Sequence, residues 1–159
     1  MKYNKWKGLK IPEQSSAKSS YIHNHGCSLI TTCLGLQWAG KSMSVSKVYD
    51  SAKRHLDKGK HVKYPLSGCS KLINILMPGA PAHFHRTYDA KTIRKALKAG
   101  KMILFEEDDP VHSVALVRKG RVTYRLSYGR ATRVTVNKEI KRRCTSSYYR
   151  GWVSVRKKK

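Results

Sequence analysis

Acidic residues are scarce in this chain: nine Asp and Glu among 159 residues, against thirty-four Lys and Arg, for a formal charge of +25. A field of that size disfavours cationic partners and favours anionic ones, whether nucleic acid, an anionic membrane surface or an acidic wall polymer such as teichoic acid. No run of eighteen apolar residues occurs, so no membrane-spanning helix is expected. The opening "MKYNKWKGLKIP" is positive but lacks an apolar core segment, so no secretory signal is expected. Four cysteines (Cys27, Cys33, Cys69, Cys144) contain no C-x-x-C pair, which argues against a zinc ribbon or a redox motif. Without a signal, free thiols are expected. No internal repeat and no linker divides the chain, so 1–159 reads as one domain.

A hydrophobic content of 40% is that of a globular protein. Residues 1–20 read as an extended arm rich in Ser and Lys, and 156–159 as a basic tail. From Ser28 to Ala39, apolar residues recur at helical spacing (Leu29, Ile30, Cys33, Leu34, Trp38), and Gly40 ends the run. Val45, Val48, Tyr49, Ala52 and Leu56 share one face of a second helix, with Ser44 as its cap. "CSKLINILMPG" predicts a third helix stopped near Pro78, and "AHFHRTY" a short strand. Asp89 caps "AKTIRKALKAG", a helix closed by Gly100. After Gly100 the pattern turns to strands: "KMILF", "HSVALVR", a turn at Lys119-Gly120, "RVTYRLSY", "RATRVTV" and the closing "GWVSVR". Asn137 is expected to cap a short helix through Arg143. Helices first and antiparallel strands last give an α+β fold class.

Three readings compete for "HNHGCSLITTCLGLQWAG". Cys27 at a helix start meets the positive end of the helix dipole and unpaired N–H groups, which favour a nucleophilic thiolate. Its own N–H is placed to help hold an oxyanion. Alternatively His23, His25 and Cys27 form H-x-H-x-C, in which strand alternation puts both histidines on one face for a metal. Lastly, the cysteine is a small core residue, a description that suits Cys33 better. A nucleophile needs a base. His112 opens a predicted strand behind the acid run Glu106–Asp109, a better setting than that of His55, His61, His83 or His85. The acid run itself reads as a solvated loop, with Asp109 orienting His112 as the alternative.

The order of a Cys at a helix start followed by a His on a β-hairpin resembles the papain-like cysteine peptidases. "HGCSLITTCLGLQWAGKSMSVSKVYDSAKRHL" and "IRKALKAGKMILFEEDDPVHSVALVRKGRVTYRLSYGRATRVTV" resemble the two halves of the bacteriocin-processing (double-glycine leader) peptidases and their phage and cell-wall relatives. The resemblance covers residues 12–155. It implies a papain-like α+β fold, with the nucleophile at a helix N-terminus in the helical first part and an antiparallel sheet in the C-terminal part. It implies Cys27 as nucleophile and His112 as base. No metal is expected, because H-x-H-x-C would need a fourth ligand from Cys33, Cys69 or a distant His, and no cofactor is expected.

Where the family carries Asp, this chain has Leu126-Ser127-Tyr128, so Ser127 is the residue expected to orient His112. The family's oxyanion Gln is absent before Gly26. Asn24 is the candidate in its place, beside the Cys27 N–H, with Ser20 a further option and Gln14 distant in sequence. The implied activity is a thiol hydrolase of peptide or isopeptide bonds. Peptidoglycan peptides are the preferred substrate, for phage lysis or cell-wall cleavage, in a bacterial or phage-infected cytoplasm with release to the wall by a partner. The alternative is a basic, phage-encoded binding protein that keeps the scaffold and binds nucleic acid or an acidic host protein.

Overall fold

The computed structural model describes residues 1–56, 66–108, 111–145 and 151–158. Two short strands, β1 (Lys2–Trp6) and β2 (Leu9–Glu13), open the chain. Helices α1 (Ser20–His25), α2 (Cys27–Trp38), α3 (Val45–His55) and α4 (Leu66–Leu76) follow. Then come β3 (Ala82–His85), α5 (Ala90–Lys98), β4 (Met102–Glu107), β5 (His112–Lys119), β6 (Val122–Ser127), β7 (Arg130–Val134), α6 (Val136–Lys141) and β8 (Trp152–Val155). Among the described residues, the strands after β2 form a six-stranded antiparallel sheet in the order β3-β8-β4-β5-β6-β7. The chain is therefore α+β. None of the described helices is long and apolar enough to cross a membrane.

The centre of the molecule is α2. Nine of its twelve residues are buried, so its apolar surface runs all round rather than along one stripe, the mark of a helix enclosed by other elements. It packs against β4 and β5, α3 and α4. The close approach to α4 depends on Gly35, where a Cβ would come within 2.8 Å of Ile73 Cδ1. The C-terminus of α2 closes in a Schellman motif: Gly40, at φ +98, donates to the Gln37 carbonyl and Lys41 to the Leu36 carbonyl. The same pair of bonds closes α5 at Gly100 and Lys101. Every residue of β4 is buried, so both faces of this strand are covered. The closing strand β8 does not lie at an edge but inserts between β3 and β4.

Four expectations are corrected. Residues 1–20 are not an extended arm. Lys7 and Gly8, both at positive φ, turn β1 into β2, and Leu9 and Ile11 are buried against the core. That hairpin packs on β6 and β7, which sequence periodicity over so short a stretch does not reveal. The acid run is not a solvated loop: Glu106 and Glu107 end β4 and are buried. Asp109 lies outside the described residues. Asn137 is not a cap but sits inside α6 and accepts a bond from the Arg94 guanidinium, while Thr135 occupies the cap position. Finally, His23 and His25 lie on α1, not on a strand, so residues two apart point to different sides. In the basic tail the side chains of Arg156–Lys158 are exposed, yet its backbone is tied down, with Arg156 donating to Pro81 and Lys158 to Trp38.

Candidate active site

Ser19 caps α1 and the chain passes through Gly26 directly into α2. Gly26 donates to the Ile22 carbonyl, and a Cβ at this position would lie 2.4 Å from that same oxygen. Only glycine fits this close approach. Gly26 is also the N-cap of α2 and offers no side-chain bond, so no side-chain cap competes for the orphan N–H groups of Cys27, Ser28 and Leu29. Cys27 is the first residue of α2 and partly exposed, whereas Cys33, Cys69 and Cys144 are buried; none of the four is in a disulfide.

Opposite this helix end, β5 begins at His112, and α2 packs against β5. Ser28, next to Cys27, and Ser113, next to His112, bring their hydroxyls to 3.1 Å of each other, which sets the start of α2 beside the start of β5. His112 is buried, and its Nε2 lies 2.7 Å from Ser127 Oγ at the end of β6. The next residue, Tyr128, stacks flat on the imidazole, with ring centroids 4.3 Å apart and planes within 4°. Tyr128 has φ +49 and Gly129 φ +72, the signature of a two-residue turn with both central residues left-handed. The amino-terminal hairpin braces this turn: Asn4 Nδ2 donates to the Gly129 carbonyl at 3.0 Å.

Electrostatically the site rests in a neutral state. Burial, and then the charge of Glu106, push the Cys27 thiol above its ordinary value; the Ser113 and Ser28 donors partly offset this. Burial, and then the nearby Arg125 guanidinium, bring His112 down to about 4. At neutral pH the pair is thus thiol and neutral imidazole, not thiolate and imidazolium. Arg125 is itself held by the carboxylates of Glu107 and Glu139.

The structure therefore sets the starts of α2 and β5, which carry Cys27 and His112, side by side, with Ser127 against His112; among the described residues no hydrogen bond joins Cys27 to His112. Asn24 is exposed on α1. Gln14, remote in sequence, is folded back to α1, where its Nε2 donates to the His23 carbonyl at 3.0 Å. His85 is occupied elsewhere, stacked on Trp152 and bonded to Ser154. Among the described residues no group of three His, Cys, Asp or Glu side chains is placed to hold a metal. Sequence reasoning missed Ser28, Glu106, Ser113 and Tyr128. The register of β4 against β5, which puts Glu106 across from Ser113, is the feature that assembles them. Comparison with protein-family models, curated proteins and solved structures finds no match for this chain.

Proposed function

We propose that this protein is a papain-like thiol hydrolase that cleaves peptide or isopeptide bonds, with peptidoglycan peptides as its substrate. The observation that supports it is the placement of the α2 start, where Cys27 has the orphan N–H groups, beside the β5 start that carries a Ser127-bonded His112. Ser127 engages Nε2, which leaves Nδ1 as the proton acceptor in the tautomer whose Nε2–H donates to Ser127. His112 Nδ1 takes the proton of the Cys27 thiol as the sulfur attacks the substrate carbonyl carbon. The Cys27 N–H donates to the developing oxyanion. The imidazolium then gives its proton to the leaving amine, and a thioester remains. Water, deprotonated by His112, releases the acid and restores the thiol. A hydroxyl at Ser127 orients the ring but adds no negative charge, so the imidazolium is stabilised less than beside a carboxylate. A charge of +25 draws such an enzyme to an anionic wall. Incubation with purified cell wall tests this: wild type releases new amino groups and Cys27→Ala releases none. Equal release by both contradicts it.

A second reading has its own observation. Two adjoining cavities of about 340 and 350 Å³ share Arg133, Val134 and Thr135. Five of the twelve arginines line them: Arg94, Arg121, Arg125, Arg133 and Arg142. Arginine forks match phosphate oxygens, so this side of β7 suits a polyanion. On this reading, binding of nucleic acid or an acidic protein weakens steeply with salt and is unchanged in Cys27→Ala.

A further inference from the structure

At one edge of the six-stranded sheet, β7 runs through Thr135 into α6, and the two adjoining cavities open there. Six cations line them: Arg94 from α5, Arg121 at the β5–β6 turn, Arg125 from β6, Arg133 from β7, Lys138 from α6 and Arg142 at its end. The one acid among the lining residues is Glu139, which is 1% exposed and paired with Arg125 and Arg142. Arg125 also holds Glu107, and Arg94 donates to Asn137. Arg121, Arg133 and Lys138 are exposed, and among the described residues no acid pairs with any of the three. The track is therefore strongly positive, with three cations left over. Its lining has no aromatic ring, and its apolar members are only Val122, Val134 and Val136. A single strand is held by stacking its bases on aromatic side chains, and a protein partner by seating large anchors in pockets. Neither is provided for. Cations with threonine hydroxyls and an asparagine amide are instead the donor set that contacts backbone phosphates.

We propose that this track binds the phosphate backbone of a nucleic-acid duplex, with Arg121, Arg133 and Lys138 as its phosphate contacts. The inference rests on the second reading of function and narrows its two polyanions to one. Each arginine fork matches two oxygens of a phosphate, while Lys138 acts as a point charge. Arg125 serves as the floor of the track, since Glu107 and Glu139 already hold it. The contacts carry no sequence information, because phosphate contacts position a duplex and base contacts specify it. A charge of +25 attracts a duplex to every side of the molecule. The track differs from the rest of that field in gathering unpaired cations around concave surface, so it fixes where the duplex lies.

Fluorescence anisotropy tests it, with a short duplex of mixed sequence, in DNA and in RNA form, titrated across a salt series. Three proteins are compared, each checked for folding by circular dichroism: wild type, the double variant Arg121→Gln with Arg133→Gln, and the double variant Lys47→Gln with Lys71→Gln. The lysine pair removes the same charge from exposed positions on α3 and α4. The arginine pair is expected to lower the slope of log affinity against log salt by about two and to weaken binding roughly tenfold at physiological salt. The lysine pair should leave both near wild type. Equal losses in the two pairs overturn the site, since binding is then spread over the whole surface. Tighter binding of a single strand than of the duplex, or discrimination between duplex sequences, overturns backbone contact. If polyglutamate binds in an arginine-dependent way and neither duplex does, the nucleic-acid assignment falls while the second reading survives with an acidic protein. If neither duplex nor polyglutamate binds in a salt-sensitive way, the second reading fails and the inference with it.

Discussion

The imidazole Nε2 of His112 and the hydroxyl of Ser127 lie 2.7 Å apart, both buried, at adjacent strand ends. This pairing occupies Nε2 and leaves Nδ1 as the ring nitrogen open to take a proton, and it does so without a carboxylate. Removing the hydroxyl in Ser127→Ala frees the ring. One net hydrogen bond contributes about 1 kcal/mol, so labelling of Cys27 slows roughly fivefold. Ser127→Asp places a negative charge beside the ring and raises His112 from about 4 toward its ordinary value, as NMR titration of the imidazole would show.

His112 also makes stability depend on pH. Its folded value is about 4 and its ordinary value 6.5, so between these limits the unfolded chain binds the extra proton. Folding stability is unaffected by this group above pH 6.5, falls as pH drops from 6.5 to 4, and is level again below. At about 1.4 kcal/mol per unit the total is on the order of 3 kcal/mol. Urea titrations across that range should show His112→Gln losing this part of the slope. An unchanged slope contradicts the buried neutral imidazole.

Tyr128 covers the imidazole while itself standing 53% exposed and at φ +49, which a side chain disfavours. Tyr128→Gly relieves about 1 kcal/mol of backbone strain and loses about 1 kcal/mol of ring stacking, so overall stability hardly changes. The uncovered imidazole rises from about 4, which the same NMR titration reads.

Gly26 is fixed by the close approach of the Ile22 carbonyl. Gly26→Ala forces the start of α2 away from α1, destabilising the fold by about 1–3 kcal/mol in urea denaturation. It also displaces Cys27, so labelling falls in the fraction that remains folded.

Much of this arrangement was legible in sequence. Helical spacing over Leu29–Trp38, caps at Ser44 and Asp89, and the glycine stops at Gly40 and Gly100 follow from local chemistry, and all five stand in the structure. Cys27 at a helix start was legible for the same reason. Ser127 beside His112 was reached through resemblance, and the hairpin register places it there. What local pattern does not carry is pairing between distant segments. Glu106 reads as loop because it adjoins three more acids, yet it belongs to β4, and only the β4–β5 register sets it against Ser113. Residues 1–20 read as an arm because two five-residue strands give too little periodicity to detect.

The central claim is that Cys27 is a nucleophile served by His112. Its most direct measurement is the rate of iodoacetamide labelling at each of the four cysteines, in wild type and in His112→Ala. Partial exposure alone favours Cys27 over the buried thiols, so dependence on His112 is what decides. The account predicts that Cys27 labels far faster than Cys33, Cys69 and Cys144, and that His112→Ala slows Cys27 while leaving the other three unchanged. Equal labelling of all four thiols, or a Cys27 rate indifferent to His112, would contradict it.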